Sequence, residues 1–423
     1  MKKVLIIAFY FPPLSGGGVQ RPLKFVKYLP HSGWKPIVLT INPDNVKSYV
    51  RDESLLEELP EEAEIYRTFY PDLTRLPLFR GSPARVFFEP FRNRFLIPSN
   101  EVSWNYFAYR KAIKIIAKEK PDVIMATSPP NSVQLLGRRL SDETGIPYIA
   151  DIRDEWTTDP YLTEAFERLP ERRKSEERRM ERECFNAAQR LVVISGLMKK
   201  SIERNAGIEP GKFRIVPNGF DEEDFSGYDD TMPSSGEKFK VLLMGNLSMQ
   251  RVTENLVRAV KLAIDTGHID NEKFEINVLT QSDPKHIRRH IPDKKYDVFN
   301  FHGYKSHAGA LKMMEESHAF LMLVTEHAKS VISGRIFEYI RGRRPVIAFV
   351  PVDGEAAEII RRTNTGSVCP PSNKEEMSKV LSDYYARWTE INWGYSPATE
   401  EICRFDRRVL TAKLAEVLEE VSG

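Results

Sequence analysis

Short, unbroken apolar runs recur along the 423-residue chain, each followed by a Gly, Ser or Pro loop and then by apolar positions three and four apart. Strands of a parallel sheet read this way because helices cover both of their faces. In the first half the pattern predicts strands at Val4–Phe11, Pro36–Ile41, Val123–Ala126, Tyr148–Ile152, Arg190–Ile194 and Phe213–Val216. It restarts with Lys240–Met244, Glu275–Leu279, Val298–Phe301, Ala319–Val324 and Val346–Val350. The expectation is an α/β protein with two doubly wound domains, one after the other. Residues 221–238, DEEDFSGYDDTMPSSGEK, have the composition of an exposed linker, which sets the domains at 1–220 and 239–395. Beyond Asn373 the pattern is helical, and Arg404–Val421 puts Leu410, Leu414 and Val417 on one face. That apolar stripe needs cover, so residues 396–423 are expected to pack back on the N-terminal domain.

Composition narrows the class. With 41% hydrophobic and 29% charged residues the chain can bury a core in each domain, which excludes disorder and collagen. Cys184, Cys369 and Cys403 are far apart and match no disulfide or zinc spacing, so they read as buried thiols in a reducing compartment. The longest mainly apolar stretch, Val4–Leu14, is far short of the ~20 residues of a spanning helix. Charge is uneven: residues 1–219 hold 35 Lys plus Arg against 28 Asp plus Glu, and the remainder holds 27 against 32. A basic first half suits an anionic partner, although scattered solvated charges give the same figures.

Candidate chemistry sits in loops that follow strands. After the first strand, FPPLSGGGVQRPLKFVKYL places Gly16, Gly17 and Gly18 ahead of a helix with Leu23, Val26 and Leu29 on one face. Residues without Cβ let backbone amides approach an anion closely, yet the spacing is neither GxGxxG nor a Walker A loop. Two other loops are Thr127 to Asn131 and Asp151-Ile152-Arg153-Asp154-Glu155-Trp156, the second offering carboxylates, a cation and an aromatic face suited to a sugar. In the second half, SGRIFEYIRGRRPVIAF reads as a helix from near Ser333 and Gly334 that buries Ile336, Tyr339 and Ile340 and stops before Pro345. Arg335 and Glu338 fall one turn apart: Arg335 could meet a diphosphate and Glu338 a ribose diol, or the two could form a plain i, i+3 ion pair. The loop Gly245 to Arg251, with Asn246 and Arg251, adds a second cation.

Taken in order, FPPLSGGG, DIRDEW, RLVVIS, IVPNGFDEEDF and GRIFEYIRGRRPVIA resemble the retaining GT-B glycosyltransferases of family four, over nearly the whole chain. The resemblance implies two facing Rossmann-like domains, with a nucleotide-sugar donor held mainly by the second and a glycan or polyprenyl-linked acceptor by the first. It implies donor binding by Gly16, Gly17, Gly18, Asn246, Arg251, Ser333, Gly334, Arg335 and Glu338, with Glu338 on the ribose and Arg251 on the diphosphate. Asp151, Arg153 and Asp154 become the catalytic candidates, Arg153-Asp154 standing where many members have His-Asp. Ser330 replaces the Glu that often lies eight residues before Glu338, and Asn246 replaces the Arg that often follows Gly245. These departures resemble a subgroup that makes bacterial surface polysaccharides. A GT-B nucleotide-sugar epimerase and a non-catalytic nucleotide-sugar binding protein are the alternatives.

No D-x-D occurs in the chain, so the carboxylate pair of metal-dependent glycosyltransferases is missing and no metal or other cofactor is expected beyond the nucleotide-sugar co-substrate. His286 and His290 in HIRRH lack a neighbouring carboxylate and read as a solvated helix face. Arg75 to Pro98 interleaves Arg75, Arg80, Arg85, Arg92 and Arg94 with Phe79, Phe87, Phe88, Phe91, Phe95 and Leu96, against Glu89 alone. That composition suits reversible contact with an anionic membrane, or rings packed under the domain with arginines in water. The expected setting is the cytoplasm, peripheral on the inner face of the cell membrane, with no nucleic-acid partner.

Overall fold

A computed structural model describes residues 1–46, 49–73, 94–234, 236–245, 250–303 and 305–423. The chain divides into two compact units, one of residues 1–218 with 407–423 and the other of residues 219–406.

In the first unit the strands are β1 Lys2–Ala8, β2 Trp34–Ile41, β3 Glu64–Thr68, β4 Val123–Ser128, β5 Tyr148–Ile152, β6 Arg190–Val193 and β7 Phe213–Ile215. They form one sheet in the order β3-β2-β1-β4-β5-β6-β7, every pairing parallel. Order reverses between β1 and β4, the switch point outside whose C-terminal strand ends doubly wound sheets place their ligands. The core joins Val4, Ile6, Val38, Val123, Met125 and Ile149 of the sheet to Leu410, Leu414, Val417 and Leu418 of the helix Arg407–Ser422. Charged ends reinforce that helix, with Lys2 on Glu419 at 2.6 Å and Arg214 on Glu420 at 2.7 Å.

The second unit repeats the plan with β8 Phe239–Met244, β9 Phe274–Leu279, β10 Phe299–His302, β11 Ala319–Leu323, β12 Val346–Phe349 and β13 Gly366–Cys369. Its order is β10-β9-β8-β11-β12-β13, again all parallel, with the switch between β8 and β11.

Several expectations change. Residues 221–238 are not a free linker: Phe225 and Asp221 are buried, and arginines of the following domain hold the segment. Arg341 grips Glu222 at 2.6 and 2.7 Å and Asp230 at 2.7 Å. Arg344, wholly enclosed, donates to the carbonyls of Asp229 and Asp230 at 3.0 Å each. A polar segment is packed here because Arg341 and Arg344, both largely buried, need acceptors. Residues 396–406 belong to the second unit, where Phe405 packs on Phe337, so the returning helix starts at Arg407. Strands β3 and β13 were not expected; β3 is a half-buried edge, EIYRT, without an apolar run. Cys403 is exposed, since its short helix turns it away from the core, whereas Cys184 and Cys369 are buried. Among the described residues no helix is long and apolar enough to cross a membrane.

Candidate functional site

In the first unit the candidate residues gather at the C-terminal ends of β1, β4 and β5. Gly16, at φ +113°, takes a backbone conformation that side chains resist, and it opens the helix Gly17–Tyr28. A Cβ at Gly16 or Gly17 would meet open space, whereas one at Gly18 would press on the Tyr10 ring at 3.2 Å. Arg153 donates to the Gly17 carbonyl at 2.9 Å and lies 3.3 Å from the Asp154 carboxylate. The loop after β5 is thereby stapled to the glycine loop. Asp154 is half exposed, at 49%, and Arg153 largely covered, at 14%.

Sequence groups Asp151 with these two, and the structure separates it from them. Its carboxylate has no exposure and accepts from Arg21 Nη2 at 2.7 Å, Arg21 Nε at 3.1 Å and Thr127 Oγ1 at 2.7 Å. A group so enclosed anchors the strand end and does not meet a substrate. Arg21 also donates to the Pro217 carbonyl at 3.0 Å and stacks 4.6 Å over Phe25. Beside it, the fully buried Gln134 amide bonds the carbonyls of Ala126 and Asp151 and the Ser128 hydroxyl, and the Tyr148 hydroxyl donates to its oxygen. Neither Arg21 nor Gln134 has a sequence signal of its own. The polar type at a helix position that faces a sheet was the available clue.

After β5 the chain enters a second polar knot. Thr158 and Ser201 hydroxyls donate to Glu155, Trp156 Nε1 to Glu177 at 3.3 Å, and the Thr157 hydroxyl to Glu181 at 2.5 Å. Burial, with the fields of Glu155 and Glu177, overcomes the Thr157 bonds and pushes the Glu181 carboxyl up to about 7.

In the second unit the strand–loop–helix units at the switch point are those after β8 and β11. Ser333, Gly334, Arg335 and Glu338 follow β11 and lie at or just before the helix Arg335–Arg341. Arg335 Nη1 contacts Glu338 Oε2 at 2.6 Å, so the i, i+3 pair forms; Arg335 stays 42% exposed and Glu338 19%. Ile336, Tyr339 and Ile340 are buried on the other face. The Tyr339 hydroxyl accepts the Met244 amide at 2.8 Å and its ring stacks on Phe320, tying this helix to the end of β8. Nearby, His307 lies 3.2 Å from the Asp224 carboxylate. Burial works to lower its pKa, but Asp224 and the field of Glu338 prevail and raise it. Sequence reading missed His307 because SHAGA carries no motif. Asn246 lies outside the described residues, and Arg251 falls on the helix Gln250–Asp265. Of the basic aromatic segment, residues 75–93 lie outside the described residues; Phe95 is exposed and Leu96 buried.

Residues 15–224 match the family model described as Glycosyltransferase Family 4. No curated protein matches the chain in sequence. In fold, a glycosyltransferase from Rickettsia africae ESF-5 is similar at 16% identity and TM-score 0.66, over 99% of this chain and 98% of that one. Sucrose-phosphate synthase from Thermosynechococcus elongatus is similar at 14% identity and TM-score 0.67, over 99% of each chain. The UDP-GlcNAc 2-epimerase of Methanocaldococcus jannaschii is similar at 13% and 0.54, over 99% of this chain and 100% of that one. Two Rossmann-like parallel sheets in succession, each with its candidate loops at the switch point, are thus the glycosyltransferase-like GT-B fold, and residues 15–224 carry the match to Glycosyltransferase Family 4.

Proposed function

We propose that the protein is a glycosyltransferase that moves a sugar, with retention, from a nucleoside-diphosphate sugar to a sugar-bearing acceptor. The observation that carries the reading is the Arg335 and Glu338 pair on the helix after β11, which Tyr339 ties to the end of β8. In this reading Glu338 accepts hydrogen bonds from the ribose, while Arg335 and Arg251 meet the diphosphate. Negative charge grows on that diphosphate as the glycosidic bond breaks, so fixed cations lower the barrier more than they strengthen ground-state binding. In the first unit the glycine loop leaves backbone free to approach the reacting sugar, and Arg153 holds Asp154 where it can orient a hydroxyl. Asp151 keeps that loop in place. The lack of D-x-D supports metal-independent chemistry. Surface-polysaccharide synthesis in the cytoplasm is the setting proposed, on the family resemblance; flotation with phosphatidylglycerol liposomes at low and high salt tests its membrane part, and a protein left at the bottom in both would end it.

Thermal shift against UDP, GDP, ADP, dTDP and CMP tests the nucleotide site. A nucleotide at 100 times its dissociation constant adds about 2.7 kcal/mol of stability. No shift with any of the five would sink the proposal. The likeness to an epimerase makes the second reading concrete: an epimerase returns the intact donor inverted at one carbon, whereas a transferase releases nucleoside diphosphate when acceptor is present.

A further inference from the structure

A cavity of about 370 Å³ opens in the first unit; Tyr10 on its wall lies beside Gly18, and among the described residues none assigned to the nucleotide lines it. It is walled by Tyr10 after β1, Pro129 to Asn131 after β4, and Trp156 to Leu169 after β5. Most of this lining is apolar: it includes the largely buried Trp156 and Phe166, with Leu162, Ala165 and Leu169. Its charged groups are unbalanced. Among the described lining residues, Glu101, Asp159 and Glu177 stand with one guanidinium, Arg173. Arg173 is committed, with Nε on Glu177 at 2.8 Å and Nη2 on the Pro98 carbonyl at 2.9 Å. Among the described lining residues two carboxylates therefore stand in excess. Asp159 accepts the Tyr161 amide at 2.8 Å on Oδ1. Burial first, and then the fields of Asp154 and Glu155, raise its carboxyl above the ordinary range.

An apolar pocket with a few convergent polar groups is the common form of a small-molecule site. Aromatic and aliphatic side chains fit the C–H face of a pyranose and an alkyl aglycone. Carboxylates fit hydroxyl and ammonium donors, and they repel phosphate. We propose that this cavity binds the acceptor as a neutral or amine-bearing glycoside, with Asp159 and Glu101 on its donor groups, and that it rejects a phosphorylated one. The proposal rests on the transferase reading and deepens it: a diphosphate-linked lipid cannot place its anionic head here.

Three probes decide it by saturation-transfer NMR and titration on the full chain: octyl β-glucoside, its 2-amino counterpart, and its 6-phosphate. The amine should bind tightest, and the phosphate at least about tenfold more weakly than the neutral glycoside at low salt, a gap that narrows as salt screens the carboxylates. Asp159→Asn should reduce the advantage of the amine. Ala165 is exposed on the rim, so Ala165→Trp can fill the cavity without disturbing the core, and should abolish binding of all three. Nucleotide thermal shifts on the same variant separate the two ideas. If nucleotide stabilises both proteins but wild type binds none of the probes, or binds the phosphate as well as the neutral glycoside, or Ala165→Trp still binds, the cavity assignment falls alone. If no nucleotide stabilises wild type, the transferase reading falls.

Discussion

Arg21 and Asp151, 130 positions apart, form an ion pair with 1% and 0% exposure at the centre of the first unit's strand ends. Through Arg21 the helix behind the glycine loop, the end of β5 and the Pro217 carbonyl share one guanidinium. Burying two charges gains little net stability, because desolvation offsets their attraction; removing one partner leaves the other uncompensated.

Arg21→Met and Asp151→Asn should therefore each destabilise the protein by about 3–5 kcal/mol. The double variant Arg21→Met with Asp151→Asn should be less damaged than the sum of the two, since it leaves no lone charge. Urea denaturation of all four proteins measures this. Single variants within about 1 kcal/mol of wild type would show that the pair is solvated and idle.

Glu338→Ala should weaken nucleotide binding by about 1.5–3 kcal/mol, the worth of hydrogen bonds to a charged acceptor. Arg335→Ala should instead depress the transfer rate more than nucleoside affinity. Calorimetry with nucleotide, set beside single-turnover rates, separates the two effects. Unchanged affinity in Glu338→Ala would remove that residue from the site.

EDTA should leave turnover nearly unchanged, given a sequence without D-x-D in which arginines are asked to neutralise the leaving diphosphate. Loss of activity in EDTA that Mg²⁺ or Mn²⁺ restores would overturn the metal-independent mechanism.

Fold class was legible wherever strands are buried on both faces, because such a strand is apolar throughout: Tyr148–Ile152 is found at its expected limits. An edge strand such as Glu64–Thr68 needs only one covered face, and its polar alternation hid it. Residues 221–238 misled for the opposite reason. Their acids and turns resemble solvent-loving chain, yet Arg341 and Arg344, more than a hundred positions later, use them as acceptors. Within the candidate site, Arg153, Asp154, Arg335 and Glu338 stood out because charge beside a strand end or one helical turn apart is a local pattern. Arg21 and His307 did not, because their partners lie far away in sequence; Gln134, with partners 6 to 17 positions away, did not because it forms no recognised motif.

Glu181 lies on the helix Glu171–Ala187, bonded to Thr157 in the loop that carries Asp154. Thr157 holds both carboxylate oxygens, at 2.5 Å from its hydroxyl and 3.4 Å from its amide, while Glu155 and Glu177 add negative charge nearby. Arg173, the neighbouring cation, is engaged by Glu177. Burial and those acids raise the carboxyl from 4.5 to about 7 in the folded chain. An unfolded chain releases this proton near 4.5, whereas the folded chain retains it until about 7, so stability must fall as pH rises through that window. At 1.36 kcal/mol per pH unit the loss is on the order of 3 kcal/mol, complete above about pH 7. Glu181→Gln can still accept the Thr157 hydroxyl but carries no charge at any pH. Its stability curve should therefore lack this fall and cross above that of wild type toward neutral pH. Urea midpoints for both proteins from pH 4 to pH 8 provide the measurement, and parallel curves across the window would show that Glu181 is ionised in the fold like any surface glutamate.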